Sequence, residues 1–109
     1  MSDTPILAEL MPTMGNISLL YTIPYSNTAT GTIFCLNQSS DCDIVNIALV
    51  PTTELLLPQH YIAYGTIIYS GQSLYLQQIY LNTDDKIYVE SQLGASNFSF
   101  VGTLNPTTI

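Results

Sequence analysis

Lys86-Ile87-Tyr88-Val89-Glu90-Ser91, followed after a short polar break by Asn97-Phe98-Ser99-Phe100-Val101-Gly102-Thr103-Leu104, decides the fold class of this chain. Ile87 and Val89 alternate with Lys86, Tyr88 and Glu90, and Phe98 and Phe100 alternate with Asn97 and Ser99. A period of two places the apolar set on one face of a strand and the polar set on the other. Working outward, the same β-branched and aromatic composition recurs in runs cut by turn residues. The runs are Ser18 to Ile23, Thr30 to Asn37, Ile44 to Val50, His60 to Ile68 and Ser73 to Leu81. With the opening pair they make about seven strands, and no stretch carries a helical period. Ile33 with Cys35, and Val45 with Ile47 and Leu49, supply a core layer opposite the phenylalanines, and Leu74, Leu76 and Ile79 complete it. The expected architecture is all-β, a two-sheet β-sandwich of the Ig-like or jelly-roll-like kind.

Residues 1–15 hold Pro5, Pro12 and Gly15 among Ile6, Leu7, Leu10, Met11 and Met14. The prolines exclude a regular helix, so this segment is expected to be an extended N-terminal arm, with the sandwich domain over residues 16–109. The second candidate contact segment is Leu55-Leu56-Leu57, between Pro51 and Pro58. Three adjacent leucines cannot all face one core, so at least one is expected to be exposed. That loop either projects from the sandwich or folds back to cap its end. Tyr61 and Tyr88 are added to the arm and the leucines as candidate interface residues.

Charge narrows the function. Among 109 residues, only 8% are charged, and eight acids face the single base Lys86, giving a net charge of −7. Ordinary soluble domains carry roughly 25% charged residues. A surface so poor in charge is expected to be covered by neighbours, so the chain is expected to be a homo-oligomer. Without arginine and with one lysine it offers nothing to neutralise phosphates, which argues against nucleic acid and anionic membranes as partners. No run approaches the ~20 apolar residues of a membrane span. Met1 to Leu10 contains Asp3 and Glu9 and no basic residue, and is not expected to act as a secretory leader.

Catalytic material is scarce. His60 is the only histidine and is read as a structural imidazole at a strand end rather than a base. Cys35 and Cys42 lack metal-ligand spacing, and are either free thiols or a bridge across the intervening turn. Asp41 with Asp43, and Asp84 with Asp85, place paired carboxylates in turns. Calcium is one reading of such pairs, and local bonding of the turn backbone is the other. No catalytic residue, cofactor or metal is expected, and the chain is read as a non-enzyme. Asn16-Ile17-Ser18, Asn37-Gln38-Ser39 and Asn97-Phe98-Ser99 match the glycosylation acceptor pattern and are taken as chance in an Asn- and Ser-rich chain. The eight tyrosines fit half-buried sheet faces, or else a recognition surface.

Several runs, in order, resemble a family of small virion structural proteins of tailed bacteriophages, many of them cyanophages. They are Leu20-Tyr21-Thr22-Ile23-Pro24, Ile33-Phe34-Cys35-Leu36-Asn37, Val45-Asn46-Ile47-Ala48-Leu49-Val50-Pro51, His60-Tyr61-Ile62-Ala63-Tyr64, and Leu81 to Val89 leading into Asn97 to Gly102. The chain departs from the family at Gln59, in the apolar loop Thr53 to Leu57, and at Gln77-Gln78, differences that bear on the partner surface rather than the fold. The resemblance implies a virion component, assembled in the host cytoplasm, that docks on capsid, neck or tail proteins. Head decoration or cement, a neck or tail adaptor, and a fibre part are all compatible with it. The alternative from another class is a receptor- or glycan-binding module that stacks sugars on surface tyrosines.

Overall fold

The computed structural model describes residues 3–107; Met1 and Ser2 of the expected arm, and residues 108–109 of the expected domain, lie outside them. Eight strands follow one another: β1 (Thr4–Leu10), β2 (Ser18–Thr22), β3 (Asn27–Asn37), β4 (Asp43–Val50), β5 (Tyr61–Ile68), β6 (Ser73–Leu81), β7 (Lys86–Ser91) and β8 (Ser96–Pro106). A single 3-10 turn, Pro58–His60, precedes β5. Sheet A has the order β1-β8-β3-β6 and sheet B the order β2-β7-β4-β5. All pairings are antiparallel, and β1 pairs with β8, β2 with β7, β3 with β6, and β4 with β5. This is one long hairpin of nested strand pairs rolled up, then closed by β3 on β8 and β4 on β7. The order is that of an eight-stranded jelly roll, and it excludes the Ig-like arrangement.

The alternation read in the sequence sets the core. Phe98, Phe100, Ile33, Cys35 and Ala29 from sheet A are fully buried against Val45, Ile47, Ile87 and Val89 from sheet B. Leu74, Leu76, Ile79 and Leu49 are half-buried against that cluster. Tyr21 tilts onto Phe100 with ring centroids 5.9 Å apart. Gly31 and Gly102 face each other where β3 crosses β8. A Cβ on Gly102 would collide with the Thr30 carbonyl oxygen, and one on Gly31 with that of Val101, so only glycine permits this close approach of two strands.

The free arm is not observed. Residues 4–10 form β1 at the edge of sheet A, in register with β8 from Thr4 opposite Leu104 to Leu10 opposite Phe98. Ile6 is buried in the core, and Ala8 and Leu10 pack against it, while Leu7 faces out. Proline at position 5 is compatible with this because an edge strand leaves one row of amides unpaired. The segment has the alternation of a strand, and the core it completes is its own. Met11 and Met14 remain exposed in the turn to β2, where the Gly15 amide donates to the Ser91 carbonyl at 2.9 Å. The domain therefore starts within the expected arm.

Phe100→Ala should cost about 3–5 kcal/mol, read as a shift in the urea midpoint at constant slope. Ile6→Ser should lower stability by about 3 kcal/mol, whereas Leu7→Ser on the outer side of the same strand should change it little. Equal, small effects at positions 6 and 7 would show that β1 is not part of the core.

Candidate functional site: the outer face of sheet B

Both ends of the sandwich are tied by buried polar groups, which fix the loops and leave the sheet faces as the surfaces on offer. At one end Asp43 is fully buried. Ser91 Oγ and Ser96 Oγ both donate to its Oδ2, and the amides of Ile44 and Leu93 donate to Oδ1 at 2.8 and 2.9 Å. Burial alone would raise this carboxyl, but the four donors outweigh it and hold its pKa below the ordinary carboxylate value. With its lone pairs so engaged, the carboxylate presents no open coordination position. Beside it, burial pushes the Cys35 thiol up to about 12, against the hydrogen bond to Ser96 and with the Asp43 charge adding to the rise. Cys35 is buried and Cys42 exposed, both as free thiols, so the two are not bridged.

Asn37 completes this knot. Its Nδ2 donates to the carbonyls of Asp41 and Ile68, each at 2.8 Å, and its Oδ1 accepts from Ser39. It thereby joins the β3–β4 turn to the end of β5. At the opposite end Asp85 Oδ1 and Oδ2 accept the amides of Thr52 and Asn82 at 2.9 and 2.8 Å. Among the described residues no group of three or more His, Cys, Asp or Glu side chains is placed to hold a metal ion.

The outer face of sheet B carries a row of apolar and aromatic side chains, flanked by Lys86 and Glu90, which share the outer side of β7 with Tyr88. Leu19 lies opposite Tyr88, Tyr88 opposite Ala48, and Ala48 opposite Tyr61, a row that crosses all four strands. Ile44 and Ile67 form a second outward pair on β4 and β5 and are 38% and 55% exposed, large values for isoleucine. Ala48 and Val50 are buried yet stand outside the core cluster, so their cover comes from the outer side. The turn Pro58–His60 packs against β4. His60, itself buried, holds that turn: Nδ1 accepts the Leu57 amide at 3.0 Å, which leaves the proton on Nε2 to donate to Glu54 Oε1 at 3.1 Å. The imidazole is thus a brace for the loop.

Between this loop and the sheet runs an open groove of about 610 Å³, lined by Ile17, Leu56, Leu57, Pro58, Tyr61 and Tyr64. Tyr61 and Tyr64 meet edge to face, with centroids 5.0 Å apart. Burial first, then the nearby Glu90 carboxylate, raises the pKa of Tyr61. Glu90 itself accepts from Asn46 Nδ2 at 2.8 Å. The groove offers apolar surface and two phenol hydroxyls, with the Glu90 carboxylate near Tyr61, which suits an apolar segment.

The structure brings Leu56, Leu57 and Tyr61 together at this groove and puts Tyr88 in the same cross-sheet row. Leu55 points away and is 83% exposed. The leucine loop folds back, but onto the outer face of sheet B rather than over the end of the sandwich. The arm residues Ile6 and Leu10 do not belong to this surface, because the core and its margin take them. Ile17 and Tyr64 were not singled out in the sequence; the alternation around Tyr64 is broken by irregular pairing of β4 with β5, which hides its face. No protein-family model, curated protein or solved structure matches the chain.

The pKa of Asp43 is lowered on folding, so its contribution is present above the unfolded carboxyl value of about 3.9 and is lost as pH falls through the folded value. Urea unfolding at pH 7, 5 and 3 should show stability falling below about pH 4. Asp43→Asn should remove about 3 kcal/mol at pH 7, because donors aimed at a carboxylate lose a charged acceptor, and should flatten the acid dependence. An unchanged acid dependence in that variant would contradict this account.

Proposed function

We propose that the chain is a non-enzymatic structural subunit of a tailed-phage particle, which self-associates and docks on other proteins of that particle. The observation that carries the reading is the largely apolar groove on the outer side of sheet B, lined by Ile17, Leu56, Leu57, Pro58, Tyr61 and Tyr64, with Tyr88 in the same cross-sheet row as Tyr61. Exposed apolar surface of this extent marks an interaction site on a domain that otherwise needs solubilising charge. In the particle the groove takes an apolar segment of a neighbouring capsid, neck or tail protein. The jelly-roll order supports the reading by analogy, since viral capsid domains use it, although lectins and cupins use it too. The runs quoted for the resemblance point the same way.

The glycan-binding alternative asks for two or three exposed rings in one plane. Tyr61 and Tyr64 stand at 69° and Phe34 and Tyr75 at 83°. Edge-to-face pairs of this kind offer a sugar no shared flat platform, so the particle reading is preferred.

Peptide mass spectrometry of purified particles from a phage encoding this chain should find it in fixed multiple copies per particle. Leu57→Asp, at a half-exposed position of the groove, should leave unfolding within about 0.5 kcal/mol of wild type and reduce incorporation at least tenfold. Absence of the chain from washed particles would defeat the reading.

A further inference from the structure

Residues 55–81 contain no Asp, Glu, Lys or Arg, although the chain carries a net charge of −7. That stretch is the loop before β5, all of β5, the turn and all of β6. β5 is the free edge of sheet B and β6 the free edge of sheet A. Only residues 69–72 separate them, so the two edges lie on the same flank of the sandwich. On this flank Ile62, Ile67, Tyr69, Tyr75 and Tyr80 are 42% to 63% exposed.

The other flank differs. β1 carries Pro5 and Glu9, with Asp3 just before it, and β2 has only five residues. Prolines, charges and shortness are how monomeric proteins keep a sheet edge from pairing. The β5–β6 flank has neither charge nor proline within its strands. It has instead a glycine at φ +61° in β5, Gly65, and a left-handed residue at φ +60° in β6, Gln78, each at an irregularity in the pairing.

We infer that the β5–β6 flank is the surface through which two copies of this chain associate, as a closed twofold dimer. The inference locates the self-association included in the proposed function. Charge selects the occupant. A basic partner would be met by acidic groups, and this flank offers none. A second copy carries a net charge of −7, and the flank is where two such molecules can touch without bringing carboxylates together. A twofold contact sets the same patch on both subunits, so neutral meets neutral and tyrosine and isoleucine meet their own kind. The two irregularities interrupt the open rows of backbone groups. They limit continuous strand addition, which favours a closed pair held by side chains over an open-ended sheet.

Light scattering after size exclusion, from about 1 to 100 µM, a range that spans ordinary dimer affinities, tests the assignment on the full chain. Wild type should be a dimer. Ile67→Glu and Tyr80→Glu, both at exposed positions outside the groove lining, should raise the dissociation constant at least tenfold. Leu7→Glu, equally exposed on the opposite flank, adds the same charge and should leave the dimer intact. Amide hydrogen exchange of the wild type supplies a readout without substitutions: β6 amides should gain protection as concentration rises, and β1 amides should not. A wild-type monomer at 100 µM, or a dimer disrupted by Leu7→Glu and not by the flank variants, overturns the inference. Absence of the chain from particles would leave this dimer standing, and a monomer in solution would remove self-association from the particle reading and leave its docking on other particle proteins standing.

Discussion

The antiparallel ladder between β3 and β8 is the member from which the rest of the sandwich is built. It runs unbroken from Asn27 opposite Pro106 to Asn37 opposite Ser96. It contributes Ile33, Cys35, Phe98 and Phe100, four fully buried side chains, to a single inner face. β1 and β6 attach to its two sides to finish sheet A. The Gly31–Gly102 crossing, where a Cβ on either residue would strike the backbone of the other strand, sits inside this ladder. Sheet B packs on this surface through Val45, Ile47, Ile87 and Val89.

A sandwich with few charges has to hold its loops by other means, and here buried carboxylates and amides do it. Asp43 and Asp85 accept from segments distant in sequence, as when Asp43 binds Ser91, Leu93 and Ser96, and Asn37 donates to the distant Ile68 carbonyl. Each lies at an end of the sandwich, where strand alternation stops and backbone groups would otherwise be unpaired. The ends are therefore polar and closed, and the groove on the outer side of sheet B is left open. Five of the eight acids, Asp3, Asp41, Glu54, Asp84 and Asp85, accordingly lie outside the strands.

Much of this was legible in residue order. The strands Ser73–Leu81 and Lys86–Ser91 have the bounds that alternation and turn residues indicate, and the inward sets on β3, β4, β7 and β8 follow the period of two. β1 was not legible for a physical reason: two prolines and a short run of alternating apolar residues describe a loose arm as well as an edge strand. Only the partner, β8, far away in sequence, distinguishes them. Asp43 and Asn37 look like ordinary turn residues until Ser91, Ser96 and Ile68 are brought to them. For the candidate site, the leucine loop and Tyr61 could be named from composition, but that the loop turns back beside Tyr61 depends on His60 bracing the turn. Tyr88 joins the same face because strand register, which sequence alone does not reveal, aligns it with Ala48.

The nesting of the strand pairs has a consequence for how the chain reaches this state. β4 and β5 are close in sequence and can meet early, whereas β1 has to wait for β8, the eighth strand in chain order. Until then Ile6, Ala8 and Leu10 have no core to enter, and the apolar side of β1 is open to other chains. Closing the outermost pair also means closing the largest loop, between β1 and β8. Topologies dominated by such distant pairings fold on the slow side, in milliseconds to seconds, and expose sticky intermediates while they do so. In a crowded cell making many copies at once, assembly of this protein is thus a race between β8 of its own chain and the edges of its neighbours.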